Sequence, residues 1–208
     1  MEKKDFYLSN KEIKQKLQDA TAGSWNKLAL SSVIALLISL VLPLIAFILA
    51  QFFDWYVVLI VVILALIIYS LIMYGYNAFM LKFSNSTNSN LSLLFSGFSK
   101  VFFKVIFLSI IKTIVVMFGY VLLIIPGVLL QIKFSMATFC LLDNPKLSVF
   151  GAMKESSKLM KDNYGRLVSH FFSNFHWTTL FGLFVDIWLL PRYLVSKAIF
   201  YEDLKTEF

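Results

Sequence analysis

The stretch VLLIIPGVLLQIKFSMATFCLLDNPKLSVFGAMKESSKLMKDNYGR, residues 121–166, decides the fold. An apolar segment is broken by Pro126-Gly127, a second apolar segment follows to Leu142, and then come Asp143-Asn144-Pro145 and a helix-period pattern bearing Lys154, Lys158 and Lys161. Proline removes a backbone donor and glycine permits a sharp turn, so the first break reads as a turn at one face of a bilayer. The charged stretch reads as a platform at the other face. Further spans count outward from this pair.

Composition agrees. The chain has 208 residues, of which 59% are hydrophobic and 15% charged, with a mean hydropathy of +0.79. Those values lie outside the range of ordinary soluble domains. Several apolar runs approach the roughly 20 residues needed to cross a hydrocarbon core about 30 Å thick. The runs lack the two-residue alternation of a barrel, and open strands leave backbone groups unsatisfied in lipid. The predicted fold class is therefore all-α: a polytopic helical membrane protein with about six transmembrane helices plus cytoplasmic amphipathic helices. The formal charge of +7 comes from lysines that flank apolar runs. That is the distribution of cytoplasmic loops, and with no basic stripe on a soluble fold it argues against nucleic acid as a partner. The single cysteine, Cys140, lies in an apolar run, so no disulfide framework is expected and it reads as a small core residue.

Residues 1–27 form a cytoplasmic N-terminal segment. Within it, Ser9-Asn10-Lys11-Glu12 reads as a capping box, with Ile13, Leu17 and Ala20 recurring at helical spacing. Spans are expected at 28–50, with Pro43 kinking or breaking the first, then at 55–81, 104–125, 128–142, 167–185 and 187–203. The first is too long for a cleaved leader and lacks a small-residue cleavage site, so it is expected to stay. The connection 51–55 holds Asp54 and no lysine, which marks it as an outer loop. Asn85-Ser86-Thr87 and Asn90-Leu91-Ser92 match a glycosylation sequon, but their flanking lysines place that loop in the cytosol and both are read as chance. Residues 91–103 are expected as a helix entering the third span. Asp143, Asn144 and Pro145 are read as cap and first turn of an interfacial helix, 145–162. Both termini fall inside, giving a multi-pass protein of a bacterial plasma membrane.

Residues 20–25, Leu94-Phe95-Ser96-Gly97-Phe98, Pro126-Gly127, Ser135-Met136-Ala137, Asp143-Asn144-Pro145, Leu159-Met160-Lys161, Trp177 and Phe200-Tyr201 stand in an order and spacing that carry a family likeness. With them the chain resembles the integral-membrane family called domain of unknown function 975, found mainly in Firmicutes. The resemblance implies a six-span bacterial plasma-membrane protein and brings no catalytic or binding residue. Two departures are Tyr164 in place of tryptophan, and Arg192 between Pro191 and Tyr193 where proline and tyrosine would adjoin.

Ionisable groups at membrane depth are the main hints of function, because each costs about 2.5–3.5 kcal/mol at the centre of a span unless paired or snorkelled. The sequence points to a polar cluster of Lys133, Asp186, His176 and Lys112. Lys112 is expected to snorkel inward. Lys133 and Asp186 are read either as an ion pair or as two unrelated interfacial residues. His170 and His176 are six apart, roughly 240° round a helix, which argues against a shared metal. The face bearing Lys154, Lys158 and Lys161 fits a basic interfacial helix whose lysines meet anionic headgroups, and equally a solvated loop helix with snorkelling lysines.

No metal, cofactor or catalytic residue is assigned, and no enzyme is expected. The leading expectation is a non-enzymatic accessory, envelope-stress or self-protection (immunity-type) protein acting through interactions in the bilayer. Its expected partners are anionic lipid headgroups and either another membrane protein or a second copy of the chain. The alternative is a transporter or channel for a small solute, peptide or lipid. A lipid-acting enzyme comes third and requires a cleft gathering Asp143, Glu155 and Asp162.

Overall fold

The first described helix opens on a side-chain cap. In the computed structural model, which describes residues 8–85, 89–174 and 183–205, Ser9 Oγ accepts the Glu12 amide at 3.3 Å. The Glu12 carboxylate in turn accepts the Ser9 amide at 2.7 Å. This closed capping box starts α1 (Asn10–Thr21), whose Ile13, Leu17 and Thr21 are buried at four-residue spacing. The Ser9 amide and hydroxyl both favour the charged carboxylate, holding Glu12 below the usual carboxylate range.

Two long apolar helices follow, α2 (Trp25–Leu49) and α3 (Trp55–Asn85), joined by a short connection that carries Asp54. Pro43 lies inside α2 without ending it, contrary to a break there. In lipid the flanking apolar residues have no better way to satisfy their backbones than to remain helical. Residues Leu91–Phe98 then form a separate 3₁₀ segment, not the first turns of the next span, and Asn90 Oδ1 caps it by accepting the Ser92 amide at 3.1 Å. The segment lies back along α3. A Cβ on Gly75 would run into the Leu94 carbonyl, and one on Gly97 into the backbone of Leu71. Glycine at both positions lets the two backbones touch.

After a turn the chain forms α4 (Phe102–Leu122) and α5 (Ile124–Lys133). The break between them is at Leu123, an extended residue, three positions before the Pro126-Gly127 expected to make it. Pro126 is instead the third residue of α5, where its missing N–H would have had no helical partner, and Gly127 packs beneath the Tyr120 ring. The expected span 128–142 is likewise interrupted: after Lys133 the chain turns, and α6 (Ala137–Asp143) resumes. The gap is bridged by Ser156 of α7 (Val149–Met160), whose Oγ donates to the Lys133 carbonyl at 2.8 Å and accepts the Met136 amide at 3.2 Å. Ser148 is the cap of α7, accepting the Gly151 amide at 3.0 Å. Asn144 is therefore not the cap; its side chain accepts the Lys146 amide at 3.2 Å and turns the chain ahead of α7. The remaining helices are α8 (Tyr164–Asn174) and α9 (Leu183–Lys205).

Among the described residues the structure is all helix and turn, and four stretches are long and apolar enough to cross a membrane: α2, α3, α4 and Ile124–Asp143. The buried core is gathered at one end. Tyr76, Phe79, Phe139, Met160, Phe200 and Tyr201 are at most 1% exposed, whereas Leu64, Phe118, Val121 and Leu123 are 53–80% exposed. α3 shows the division within one helix, with its buried residues all between Leu71 and Phe83. At the core end, polar groups fasten the elements together. The Arg166 guanidinium meets the Asp203 carboxylate at 2.6 Å and the Leu8 carbonyl at 3.1 Å, while Asp203 accepts the Leu8 amide at 3.0 Å. Asp143 accepts the Tyr201 hydroxyl at 2.8 Å and pairs with Lys205 at 2.5 Å. The Asp143 carboxylate raises the Lys205 ammonium above the usual lysine value.

Candidate functional site

α3 and α4 diverge enough to leave a cavity of about 600 Å³ between them, closed at its base by the α5–α6 interruption and by α9. Its apolar lining includes Ile63, Leu66 and Ile67 from α3 and Ile106, Ile110 and Ile114 from α4. Polar side chains share this lining. Tyr74 and Asn77 come from α3, Ser109 and Lys112 from α4, Thr138 from α6 and Lys197 from α9. Each reaches the cavity because successive turns of a helix repeat a face every three or four residues: Tyr74 and Asn77 are three apart, as are Ser109 and Lys112.

The charge in this cavity is all of one sign. Two lysines line it, and no aspartate or glutamate does so among the described residues. Lys197 has aromatic company, its Nζ lying 5.7 Å from the centre of the Phe139 ring, but a ring face supplies only part of what a carboxylate or water would. Beside the lysines, Ser135 sits in the turn between α5 and α6, and its Oγ is buried with no hydrogen-bond partner. Two cations and an unused hydroxyl converge where the helix is broken. Such a group can bind an anion, which offsets the repulsion between like charges.

The polar cluster expected from the sequence is only partly what the structure assembles. Lys112 lines the cavity. Lys133 does not line it; its Nζ lies 5.8 Å from the Phe134 ring centre. His176 and the side chain of Asp186 lie outside the described residues, and with them the Lys133–Asp186 pair. Lys197 takes the second place in the cluster. Lys197 is absent from the cluster expected from the sequence, although a lysine between Ser196 and Ala198 in an apolar helix carries the same signal as Lys112.

Elsewhere the assignments divide similarly. Lys154 and Lys158 on α7, and Lys161 just past its end, are exposed while Ala152, Met153, Leu159 and Met160 are buried against the protein. Most of the apolar face is thus covered by the chain itself, with Phe150 left exposed beside the lysines. Asp143 is taken by Tyr201 and Lys205, and none of Asp143, Glu155 and Asp162 lines the cavity. Among the described residues no group of three or more histidine, cysteine, aspartate or glutamate side chains is placed to hold a metal. No family model, curated protein or solved structure matches the chain.

Proposed function

We propose that this is a non-enzymatic, multi-pass protein of a bacterial plasma membrane, an accessory, envelope-stress or self-protection factor that acts by contacting lipids and other membrane proteins within the bilayer. The observation that carries this reading is how little the membrane-length helices cover one another. Only 11–33% of each apolar window is buried, while the opposite end of the molecule is a tightly fastened core. Helices so exposed present broad apolar faces that lipid or a partner's helices must cover. On the same reading the lysine-rich connections face the cytosol together with both termini, segments 167–185 and 187–203 bring the crossings to six, and kinship with the domain of unknown function 975 family accounts for the motif order.

One observation favours a second reading, a transporter or channel for a small solute, peptide or lipid: the α5–α6 interruption lies in the cavity wall, as broken helices do at solute sites in transporters. The two separate experimentally. A deletion strain challenged with membrane-active peptides is expected to lose viability and to regain it with the intact chain, and cross-linking in membranes is expected to trap a partner or a second copy. Proteoliposomes are expected to show no solute flux above empty vesicles. Flux without any cross-linked partner overturns the first reading in favour of the second.

A further inference from the structure

We propose that the cavity between α3, α4 and α9 binds one anionic phospholipid from the leaflet on the lysine-rich side, with its phosphate between Lys112 and Lys197 and an acyl chain along the apolar lining at Ile63 and Leu66. The proposal rests on residence in a bilayer and not on the accessory role, so either can fail without the other.

Three features of the cavity point to this class of ligand. The first is charge. Two lysines meet there without a lining carboxylate among the described residues, and at membrane depth a bound anion compensates them where water cannot. The second is the mixed lining. Lys112, Lys197, Asn77 and the unpartnered Ser135 hydroxyl share the cavity with Ile63, Leu66, Ile110 and Ile114, which are themselves 48–61% exposed, and along α3 the apolar Ile63 and Leu66 lie towards the Asp54 end and Asn77 towards the other. A free anion has no use for the apolar lining, and a neutral acyl chain has no use for the lysines.

The third is depth. Counting about 1.5 Å per residue along α3 from Trp55, Ile63 lies roughly 12 Å and Asn77 roughly 33 Å from the end that carries Asp54. Since a hydrocarbon core is about 30 Å thick, the cavity reaches from the middle of the bilayer to headgroup level on the opposite, lysine-rich side. Lys112, roughly 15 Å from the α4 terminus at Leu122, starts near the middle of the bilayer and reaches the phosphate by extending its side chain towards the headgroups. A lipid of that leaflet therefore needs only to enter sideways between α3 and α4, with its headgroup already at the right level.

The test uses the full chain purified in mild detergent. Phosphatidylglycerol, phosphatidylcholine and inorganic phosphate are added separately, and bound lipid is counted by native mass spectrometry alongside thermal stability. One retained phosphatidylglycerol per chain is expected, with stabilisation by that lipid and little by the other two. Lys112→Gln and Lys197→Gln are each expected to weaken retention by about tenfold, the scale of one charge-assisted hydrogen bond, and the double variant more. Lys197→Arg keeps the charge and is expected to retain lipid. Lys11→Gln with Lys14→Gln, exposed on α1 and outside the cavity, is expected to leave retention unchanged.

The glutamine variants remove buried charge without removing bulk; should either fail to stay monodisperse, lipid protection of Thr113→Cys from a thiol reagent in a Cys140→Ala background reads occupancy directly. Equal retention in the double variant, or no protection of Thr113→Cys, overturns the proposal. So does equal stabilisation by phosphate, which would make this a free-anion site, or by phosphatidylcholine, which would make it an apolar groove indifferent to net charge.

Discussion

At the level of single residues, the closest packing rests on atoms that are absent. Gly75 and Gly97 bring the 3₁₀ segment onto α3 so tightly that a methyl group on either meets backbone, which cannot swing aside as a side chain can. Gly75→Ala is therefore expected to lower stability by roughly 1–3 kcal/mol, as overpacking does. Gly165→Ala, with nothing within 4 Å of the new methyl group, is expected to be neutral or to add up to about 1 kcal/mol by limiting the unfolded chain. Thermal unfolding of the two variants in one detergent checks the contrast. The glycines themselves were visible in the sequence, Gly97 as part of a motif, but not what they touch. Their partners are 19 and 26 positions away, beyond any periodicity of a single helix.

At the level of elements, two local rules hold to different degrees. The capping box of α1 was readable because all its atoms lie within four residues. Its hydrogen bonds hold the Glu12 carboxyl below its ordinary value, so their contribution is complete above the unfolded value of about 4.3 and is lost as pH falls through the lower folded one. Amide exchange at Ile13 and Leu17 is expected to speed up over that acid range, and Ser9→Ala to remove the dependence. The interruption between α5 and α6 was not readable in the same way. Ser156 sits 20 residues from Met136, and without its hydroxyl an unbroken helix through 128–142 is the natural reading. Ser156→Ala leaves the Lys133 carbonyl and the Met136 amide without this partner, and a loss of roughly 1–3 kcal/mol in detergent unfolding is expected.

At the level of the whole molecule, the structure separates into a fastened end and a spread end. Leu8, Asp143, Arg166, Tyr201, Asp203 and Lys205 tie α1, α6, α8 and α9 together where the lysine-bearing connections also lie. Beyond them α3 and α4 part, and the cavity opens in the space between. If that fastened end is cytosolic, cysteines placed at Asn90 and Lys154 in a Cys140→Ala background are expected to resist an impermeant thiol reagent in intact cells. A cysteine at Asp54 is expected to react. Labelling of all three from outside would mean that the lysine-rich connections do not share the inner face.

Read alone, the sequence determined the building unit, helices long and apolar enough to cross a membrane, because in lipid a helix satisfies its own backbone. It also located α1, α2, α3, α4 and α7 and the division of α7 between buried and exposed faces, because those follow from neighbours three or four residues apart. Only the tertiary structure decided where helices break and which charges meet. Leu123 became the turn in place of Pro126 through the α4–α5 pairing, and Lys197 joined Lys112 because α9 packs against α3 and α6. Those outcomes depend on contacts between residues tens of positions apart, where the repeat of a helix no longer says which side chain faces which.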